Sequence, residues 1–439
     1  MKRITLAIAL ALGAGVAGAA DLAGVYQLAL ENDPALRASR ATRDANSEAE
    51  ALARSQLLPN VALSGDVSYN WAKSDPNTDN LASAARDYND DYASQGAAVQ
   101  VTQPLYRKDR LIQLDQAKDQ VAQADVDYTV AEQDLIVRVT QAYFGVLSAD
   151  DTLTYTEADV KAIERQLDQA KQRFEVGLIA ITDVNEAQAR YDQARANAIL
   201  AQNEVDNAVE SLVEITNQPT GPLATLKPGV VLKPPQPASL DEWTEMALQN
   251  NPGVISAKYE VEIAKKQIEF QDAADSPAVD LVGSYGLTRN NWDRDVDRND
   301  GVIGVQLNLP LYTGGGVQAS TRQARYQYEA AQEVLEQRRR EVQTQVRNAY
   351  RGVLASISRV MALEAAEVSA KSALEATEAG FEVGTRTLVD VLNSQRDLFL
   401  AQRDLAVSRY DYILNTLSLR QAAGSLGLAD VEAANKWLQ

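Results

Sequence analysis

Four stretches of the chain alternate apolar and polar residues with a period of two. In residues 61–71, for example, the odd positions are mostly apolar or aromatic and the even positions are small or polar. A period of two is typical of a β-strand that faces an apolar medium on one side and water on the other. The pattern predicts strands at about residues 59–71, 96–106, 278–289 and 302–312.

Two much longer stretches have apolar residues three and four positions apart, the spacing that helix-on-helix packing requires. The clearest stripe runs through Val342, Val346, Ala349, Val353, Ile357, Val360 and Leu363. About 65 residues of helix would span roughly 100 Å, a length that an ordinary globular domain rarely contains. The pattern predicts long helices at about residues 108–174 and 317–381, with antiparallel return helices at about 183–215 and 390–423.

The order of these elements occurs twice because the chain contains a tandem repeat. Residues 142–147 (AYFGVL) recur as 349–354 (AYRGVL), and FEVG at residue 174 recurs at residue 381. Both matches have the same offset, so no net insertion separates them. Each half also opens with short helical segments before its strands. The sequence predicts a first repeat at residues 21–220, a proline-rich connector at 221–237, a second repeat at 238–424 and a C-terminal tail at 425–439.

The first 20 residues have the features of a secretory signal peptide. Two basic residues precede an apolar run at residues 4–12, and small residues precede Asp21. That run is too short to cross a bilayer as a helix, and no later stretch approaches 18 uninterrupted apolar residues. The sequence therefore predicts export without a helical membrane span. In a Gram-negative cell this leaves the periplasm, the medium or an outer-membrane β-barrel.

Composition narrows the chemistry further. The chain has 42 basic and 61 acidic residues, a net charge of −19, and neither histidine nor cysteine. So acidic a surface disfavours nucleic acid as a partner and would attract cations into an enclosed lumen. Without histidine the usual base at neutral pH is missing, and carboxylate pairs such as Asp150-Asp151 lie on long helical segments without a nearby nucleophile. We expect no catalytic site, no metal site and no cofactor.

The number of strands limits how they can lie in a membrane. Four strands cannot close a barrel, because the smallest membrane barrels have about 8, and open sheet edges are not tolerated in lipid. Two chains would give about eight strands and a filled interior, whereas three would give about twelve and a lumen. A soluble antiparallel sheet is an alternative for the strands. A periplasmic coiled-coil scaffold or adaptor protein would explain the helices but not the paired strands.

The repeated order of helices, two strands and two long helices resembles the TolC family of outer-membrane efflux channels. The most specific matches are RQLDQ from residue 165, RFEVGLIAITDV from residue 173 and EAGFEVGTRTLVDVL from residue 378. They are more similar to the TolC branch than to the metal-efflux branch, whose members usually carry a lipid anchor on a cysteine. The resemblance covers nearly the whole mature chain.

This resemblance implies an α+β membrane protein that assembles as a homotrimer. Its fold would be a barrel of about twelve strands, four per chain, in the outer-membrane lipid, continued by an α-helical coiled-coil barrel in the periplasm. Its function would be that of a passive exit duct, with porin activity, in tripartite efflux or type I secretion systems. A periplasmic adaptor protein and an inner-membrane pump of the RND, ABC or MFS type would open it.

The specific matches lie at the two helix-to-helix turns farthest from the strands, which would form the periplasmic tip. Gly177 and Gly384 suit the left-handed residue that often ends a helix, and Thr182 and Asp183 can cap the return helix. These turns could thus be helix caps and nothing more. The resemblance implies adaptor contacts at Val176, Gly177, Leu178, Val383, Gly384 and Thr385.

The same resemblance implies a network of residues that holds the tip shut. Its members are Thr182, Asp183, Glu378, Phe381 and Arg386. Arg386 would bond Thr182 and Asp183. Where the family has tyrosine this chain has Phe381, which lacks the hydroxyl for a hydrogen bond to Asp183. Since one hydrogen bond contributes about 0.5–1.5 kcal/mol, we expect a looser closed state.

A channel constriction is also implied by the resemblance. Asp390 corresponds to one of two positions whose carboxylates form rings at the entrance of the duct. The other position is Asn393, where the family has aspartate. Three copies of Asp390 near a symmetry axis would repel one another and concentrate cations, whereas Asn393 removes one set of charges. The resemblance therefore does not fix how strongly cations block this pore.

Overall fold

The computed structural model describes residues 19–73, 89–227, 229, 231–290 and 296–439. The first repeat contains α1 (Leu22–Asn32), α2 (Pro34–Ser55), β1 (Asn60–Lys73), β2 (Asn89–Tyr106), α3 (Lys108–Glu175) and α4 (Ile181–Thr216). The second contains α5 (Leu240–Asn250), α6 (Pro252–Asp272), β3 (Ala278–Asn290), β4 (Val296–Asn308), α7 (Gly316–Glu382) and α8 (Leu388–Ala422), and α9 (Leu428–Asn435) follows it. The described elements thus confirm a mostly helical fold with one four-stranded sheet and two similar halves. Apart from residues 19 and 20, the predicted signal peptide lies outside the described residues.

Two strands differ from their predicted bounds. β2 begins at Asn89, seven residues before the predicted start at 96, and β4 begins at Val296 and ends at Asn308 instead of running from 302 to 312. The residues at these strand starts were not predicted as strand because apolar and polar residues do not alternate there in the sequence. They are nevertheless paired, as Trp71 is with Asp91. Pro310 has no backbone donor for a ladder, which is consistent with the earlier end of β4.

The four strands form one antiparallel sheet in the order β1-β2-β3-β4. Leu63 lies opposite Val99, and Val99 lies opposite Tyr285, so these side chains share one face of the sheet. This face is apolar and exposed in the single chain, at Val61, Leu63, Val67, Tyr69, Trp71, Val99, Tyr285, Leu287, Ile303, Val305 and Leu307. An exposed apolar face of this size is typical of a surface that another apolar phase covers.

The described residues divide into two compact units. One contains the residues up to Arg40 together with Tyr128–Val254 and Arg339–Gln439, and the other contains Ala41–Asp127 and Ile255–Arg338. The second unit includes the sheet. The first includes both helix-to-helix turns of the predicted tip and α9, a helix within the predicted C-terminal tail. No helix among the described residues is both long enough and apolar enough to cross a membrane.

The first unit has a well-packed core around the middle of α3. Tyr143 and Phe144 are fully buried, and the Tyr143 hydroxyl donates to the carbonyl of Ala224 at 2.8 Å. Arg138 forms an ion pair with buried Asp33 at 2.9 Å. Burial by itself would raise the pKa of Asp33, but the hydrogen bond from Arg138 holds that pKa below its usual range. These contacts anchor α3 and thereby help to fix the helix that leads to the first predicted turn.

Candidate functional site

The first tip turn comprises residues 176–180 and joins α3 to α4. Gly177 has φ +78°, the left-handed conformation that favours glycine. The N–H of Leu178 donates to the carbonyl of Arg173 at 2.8 Å, and the N–H of Gly177 donates to that of Phe174 at 2.9 Å. This is the hydrogen-bond pattern that ends a helix at a left-handed residue. The FEVG sequence therefore stops α3 and reverses the chain.

The start of α4 differs from the prediction. Ala180 occupies the capping position, so Thr182 and Asp183 are the second and third residues of the helix. Asp183 still contributes to the cap from the third position of the helix, because its Oδ2 accepts a hydrogen bond from the backbone N–H of Ala180 at 3.3 Å. Thr182 is exposed, and its hydroxyl makes no hydrogen bond with any residue that the structure describes. Asp183 therefore contributes to the cap and Thr182 does not.

The second tip turn comprises residues 383–387 and joins α7 to α8. Gly384 has φ +79°, and the N–H of Thr385 donates to the carbonyl of Gly380 at 2.8 Å. Thr387 caps α8 reciprocally with Asp390. The Thr387 hydroxyl oxygen accepts from the Asp390 N–H at 3.2 Å, and Asp390 Oδ2 accepts from the Thr387 N–H at 2.9 Å. The second turn thus has two capping side chains, whereas the first has only that of Asp183 because residue 180 is alanine.

The hydrogen bonds at this cap keep Asp390 ionised. The backbone N–H of Thr387 and then its hydroxyl lower the pKa of Asp390 below its usual range, and the charge of Arg386 adds to this effect. Asp390 therefore carries its negative charge at neutral pH and below. Charge at this position is what a cation-attracting constriction requires.

Arg386 lies at the outer end of the second turn and is exposed. Its aliphatic stem folds over Gly380, where an added Cβ would come within 2.7 Å of Arg386 Cγ. Arg386 makes no ion pair with any part of the described chain, and the structure does not bring it together with Thr182 or Asp183 within one protomer. Gly380 therefore makes room for the stem of Arg386, while its guanidinium remains available.

Phe381 lies in an apolar cluster that joins the two tip turns. The buried members of the cluster are Ile163, Leu167, Ala170, Ala187, Ala194, Leu388 and Leu392. The guanidinium carbon of Arg173 lies 4.6 Å from the centre of the Phe381 ring, a cation–π contact that is worth about 0.5–1 kcal/mol at an exposed site. Sequence reasoning missed Arg173. The repeat offers a signal, because Arg173 occupies the position that Gly380 has in the second half.

Next to this cluster, a polar groove runs between the ends of α3 and α7. Gln166, Arg173 and Glu378 line it, and the buried Gln166 Oε1 has no hydrogen-bond partner in the described part of the chain. Glu378 itself is exposed. The structure therefore places Glu378 close to Phe381 but gives it no hydrogen bond among the described residues.

The predicted adaptor-contacting residues form the outer surface of both turns. Val176 is 70% exposed, Leu178 73% and Val383 76%. Gly177, Gly384 and Thr385 are exposed beside them. Apolar side chains this exposed at the ends of helices gain from being covered by a partner. The turns thus present a small apolar surface on a strongly acidic protein.

Asn393 lies one helical turn after Asp390 on α8. Its Oδ1 accepts a hydrogen bond from Nη2 of Arg190, which projects from α4, at 3.4 Å. The predicted constriction pair therefore consists of one charged residue and one amide that is held by an arginine. Nothing in the predicted motifs pointed to Arg190.

A sheet with one exposed apolar face and long helices that end in exposed turns are the features that the resemblance to outer-membrane channels predicts. The chain belongs to the outer membrane efflux protein family, whose pattern it matches over residues 25–218 and 243–425. It is 40% identical to the outer membrane protein TolC of Vibrio cholerae, an alignment that covers 100% of this chain and 99% of that protein. It is 31% identical to the alkaline protease secretion protein AprF of Pseudomonas aeruginosa over 93% of this chain and 86% of AprF.

Solved structures agree with this fold. A membrane protein from Pseudomonas aeruginosa matches with a TM-score of 0.81 at 20% identity, covering 93% of this chain and 91% of that protein. The outer membrane protein VceC of Vibrio cholerae matches with a TM-score of 0.77 at 18% identity, covering 92% of this chain and 96% of VceC. At these identities the likeness shows the fold and no more.

The chain is therefore an outer-membrane channel and not an enzyme. It acts as an exit duct for efflux and type I secretion. It is the trimeric channel that the resemblance to the TolC family implied, and it works with adaptor and inner-membrane pump proteins. Each chain contributes four strands to a shared barrel, and the helical tunnel lies in the periplasm. This assignment favours the duct over a periplasmic scaffold or adaptor.

Proposed function

We propose that the second tip turn is the gate of the duct. In this proposal Arg386 closes the gate by bonding the neighbouring protomer's Thr182 and Asp183. The proposal rests on the bonding of two charged side chains, Arg386 and Asp183, within the single chain. Arg386 makes no ion pair within the described chain, and Asp183 Oδ1 accepts no hydrogen bond there. A hydrogen bond between charged groups is worth about 1.5–3 kcal/mol, and three such bonds would form around the axis.

Arg386 is suited to this role by the way its stem is held. Packing of Cγ over Gly380 restricts the side chain before it meets a partner, so less side-chain entropy is lost when the bond forms. We propose that Phe381 and Glu378 support the gate, Phe381 through the apolar cluster and Glu378 from the rim of the polar groove. The absent tyrosine hydroxyl at residue 381 would leave the closed state looser.

We propose that Asp390 forms the constriction of the entrance. Its lowered pKa keeps it charged, and three carboxylates near one axis would hold cations there. Asn393 would contribute no charge of its own to this ring. Divalent cations should therefore block the duct through the Asp390 ring alone.

We also propose that the adaptor protein binds both tip turns at their exposed apolar side chains. The support is the exposure of Val176, Leu178 and Val383. The pump behind the adaptor would be of the RND, ABC or MFS type. The likeness to a protease secretion protein supports an ABC-driven secretion role beside efflux.

Cross-linking can test the gate because the chain has no cysteine. The double variant Asp183→Cys/Arg386→Cys, treated in cells with a short bifunctional thiol reagent, should give covalent trimers on a denaturing gel. Each single variant serves as a control and should stay monomeric. Cross-links confined to one chain, or no cross-link in the double variant, would contradict a gate that joins neighbouring protomers.

A further inference from the structure

The charge balance of the entrance is set by more residues than Asp390. Arg190 Nη2 lies 3.4 Å from Asn393 Oδ1, so a guanidinium occupies the position next to the second ring residue. Both groups are exposed at this contact. Because the amide is uncharged, this contact cannot neutralise the guanidinium.

Arg190 is not paired with a carboxylate among the described residues. It makes no ion pair with any residue that the structure describes, and Asn393 is neutral. The nearest cation along α8 is different, because Arg396 is paired with Asp397 at 3.3 Å. Within the described chain, Arg190 thus differs from Arg396 in having no ion pair with a carboxylate.

Arg190 contacts the residue that lies one helical turn after Asp390. Asp390 and Asn393 are three residues apart on one helix, so their Cβ atoms lie about 5–6 Å apart. Arg190 contacts the second of these two residues. Charges interact over about 8 Å at physiological ionic strength, and less screening is expected in a narrow entrance.

We propose that Arg190 is a specificity-determining residue of the duct, because its guanidinium offsets the Asp390 carboxylate in each protomer. Three Arg190 guanidiniums, added to the charge of Arg386 that already acts on Asp390, would reduce the negative potential of the entrance. The duct then discriminates weakly between cations and anions and is blocked poorly by divalent cations. This inference rests on the proposed constriction at Asp390 and deepens it.

The contact also explains what the amide at residue 393 does. An aspartate at this position would form an ion pair with Arg190 and cancel the offset. Asn393 orients the guanidinium and leaves its charge free to act on Asp390. The pair Arg190–Asn393 therefore acts as a unit, and substitutions of the two residues should not be additive.

Planar-bilayer recordings of the purified trimer in a KCl gradient provide the test, with added Mg²⁺ for the block. Arg190→Gln should raise the ratio of K⁺ to Cl⁻ permeability, and the sensitivity to Mg²⁺, by about two- to fivefold, the range of an exposed charge pair. Asn393→Asp should have a smaller effect alone than in the Arg190→Gln background. The matched control is Arg195→Gln on the same helix, whose guanidinium lies 5.7 Å from the ring of Tyr191.

The outcomes separate this inference from the proposed constriction. If Asp390→Asn weakens the Mg²⁺ block while Arg190→Gln behaves as wild type, the constriction stands and the role of Arg190 is wrong. Equal effects of Arg190→Gln and Arg195→Gln would also overturn it, since they would indicate general surface charge. If Asp390→Asn changes neither selectivity nor block, the constriction itself is wrong and this inference is wrong with it.

Discussion

The two tip turns have the same backbone but distribute their side chains in opposite ways. Gly177 and Gly384 have φ +78° and +79°, and both turns have the same length. In the first turn the arginine is at residue 173 and lies on the Phe381 ring. In the second, the position equivalent to Arg173 is Gly380, and the arginine is instead residue 386.

The two repeats also differ at the position of Arg386. The first-repeat equivalent of Arg386 is Ile179, which packs against the apolar cluster. Arg173 therefore holds the two turns of one protomer together, whereas Arg386 points to solvent and can contact another chain. The comparison shows that two repeats with the same backbone can have different roles when the arginine stands at a different position in each. In the function proposed above, the first turn has a structural role and the second turn is the gate.

The largest effect on stability is expected at the two left-handed glycines. Gly177→Ala and Gly384→Ala should each destabilise the tip by about 1–2 kcal/mol per protomer, because an L-residue is strained at positive φ. An added Cβ meets nothing within 4 Å at either position, so strain is the only cost. Thermal unfolding followed by circular dichroism should show equal losses. Unequal losses would mean that the two backbones are not equivalent.

A smaller effect is expected from exchanging the helix caps. Thr387→Ala removes the hydroxyl that accepts from Asp390 and should cost about 1 kcal/mol. Ala180→Thr introduces an acceptor at the first turn and should stabilise α4 by a similar amount. The same unfolding measurement applies. If both substitutions change the stability in the same direction, the two caps do not differ in the way described above.

Gly380→Ala should separate the space required by Arg386 from its charge. The new Cβ would lie 2.7 Å from Arg386 Cγ and 3.2 Å from the Thr385 hydroxyl, so the flexible stem must move. We expect a modest rise in closed-state conductance with little loss of stability. Gly145→Ala is the matched control, because that helical glycine has nothing within 4 Å of an added Cβ. A rise of the same size in both variants would exclude a specific effect.

The smallest effect is expected from Phe381→Tyr. A hydroxyl there could donate to Asp183 and tighten the closed state by about 0.5–1.5 kcal/mol. The aromatic ring and its contact with Arg173 would be preserved, so stability of the cluster should not change. Single-channel recordings should show lower closed-state conductance than wild type. Unchanged conductance would rule out the missing hydroxyl as the cause of a loose gate.

Much of the fold could be predicted from the sequence because its patterns are local. The alternation of apolar and polar residues predicted where the strands lie. Apolar residues three and four positions apart predicted α3 and α7. The start of β2 at Asn89 was missed because a strand in which apolar and polar residues do not alternate has no periodic signal. Likewise, Thr182 resembles a cap in sequence, but the turn closes at Ala180 because the left-handed Gly177 fixes where α4 can begin.

The candidate site was less predictable because it depends on contacts between distant segments. Arg173 over Phe381 and Arg190 beside Asn393 join residues about 200 positions apart. A sequence motif includes only residues that are close along the chain, so no motif could predict either contact. What the repeat could have shown is the exchange of arginine and glycine between the halves, since that requires only the alignment of the chain with itself.

The most direct test of the account is the closed-state conductance of two matched variants in planar bilayers. Arg386→Ala should open the duct severalfold relative to wild type, because it removes the proposed bond between protomers. Arg173→Ala removes an equal charge from the other turn and should leave conductance close to wild type. If Arg386→Ala conducts as wild type does, or if Arg173→Ala opens the duct as much, the second turn is not the gate.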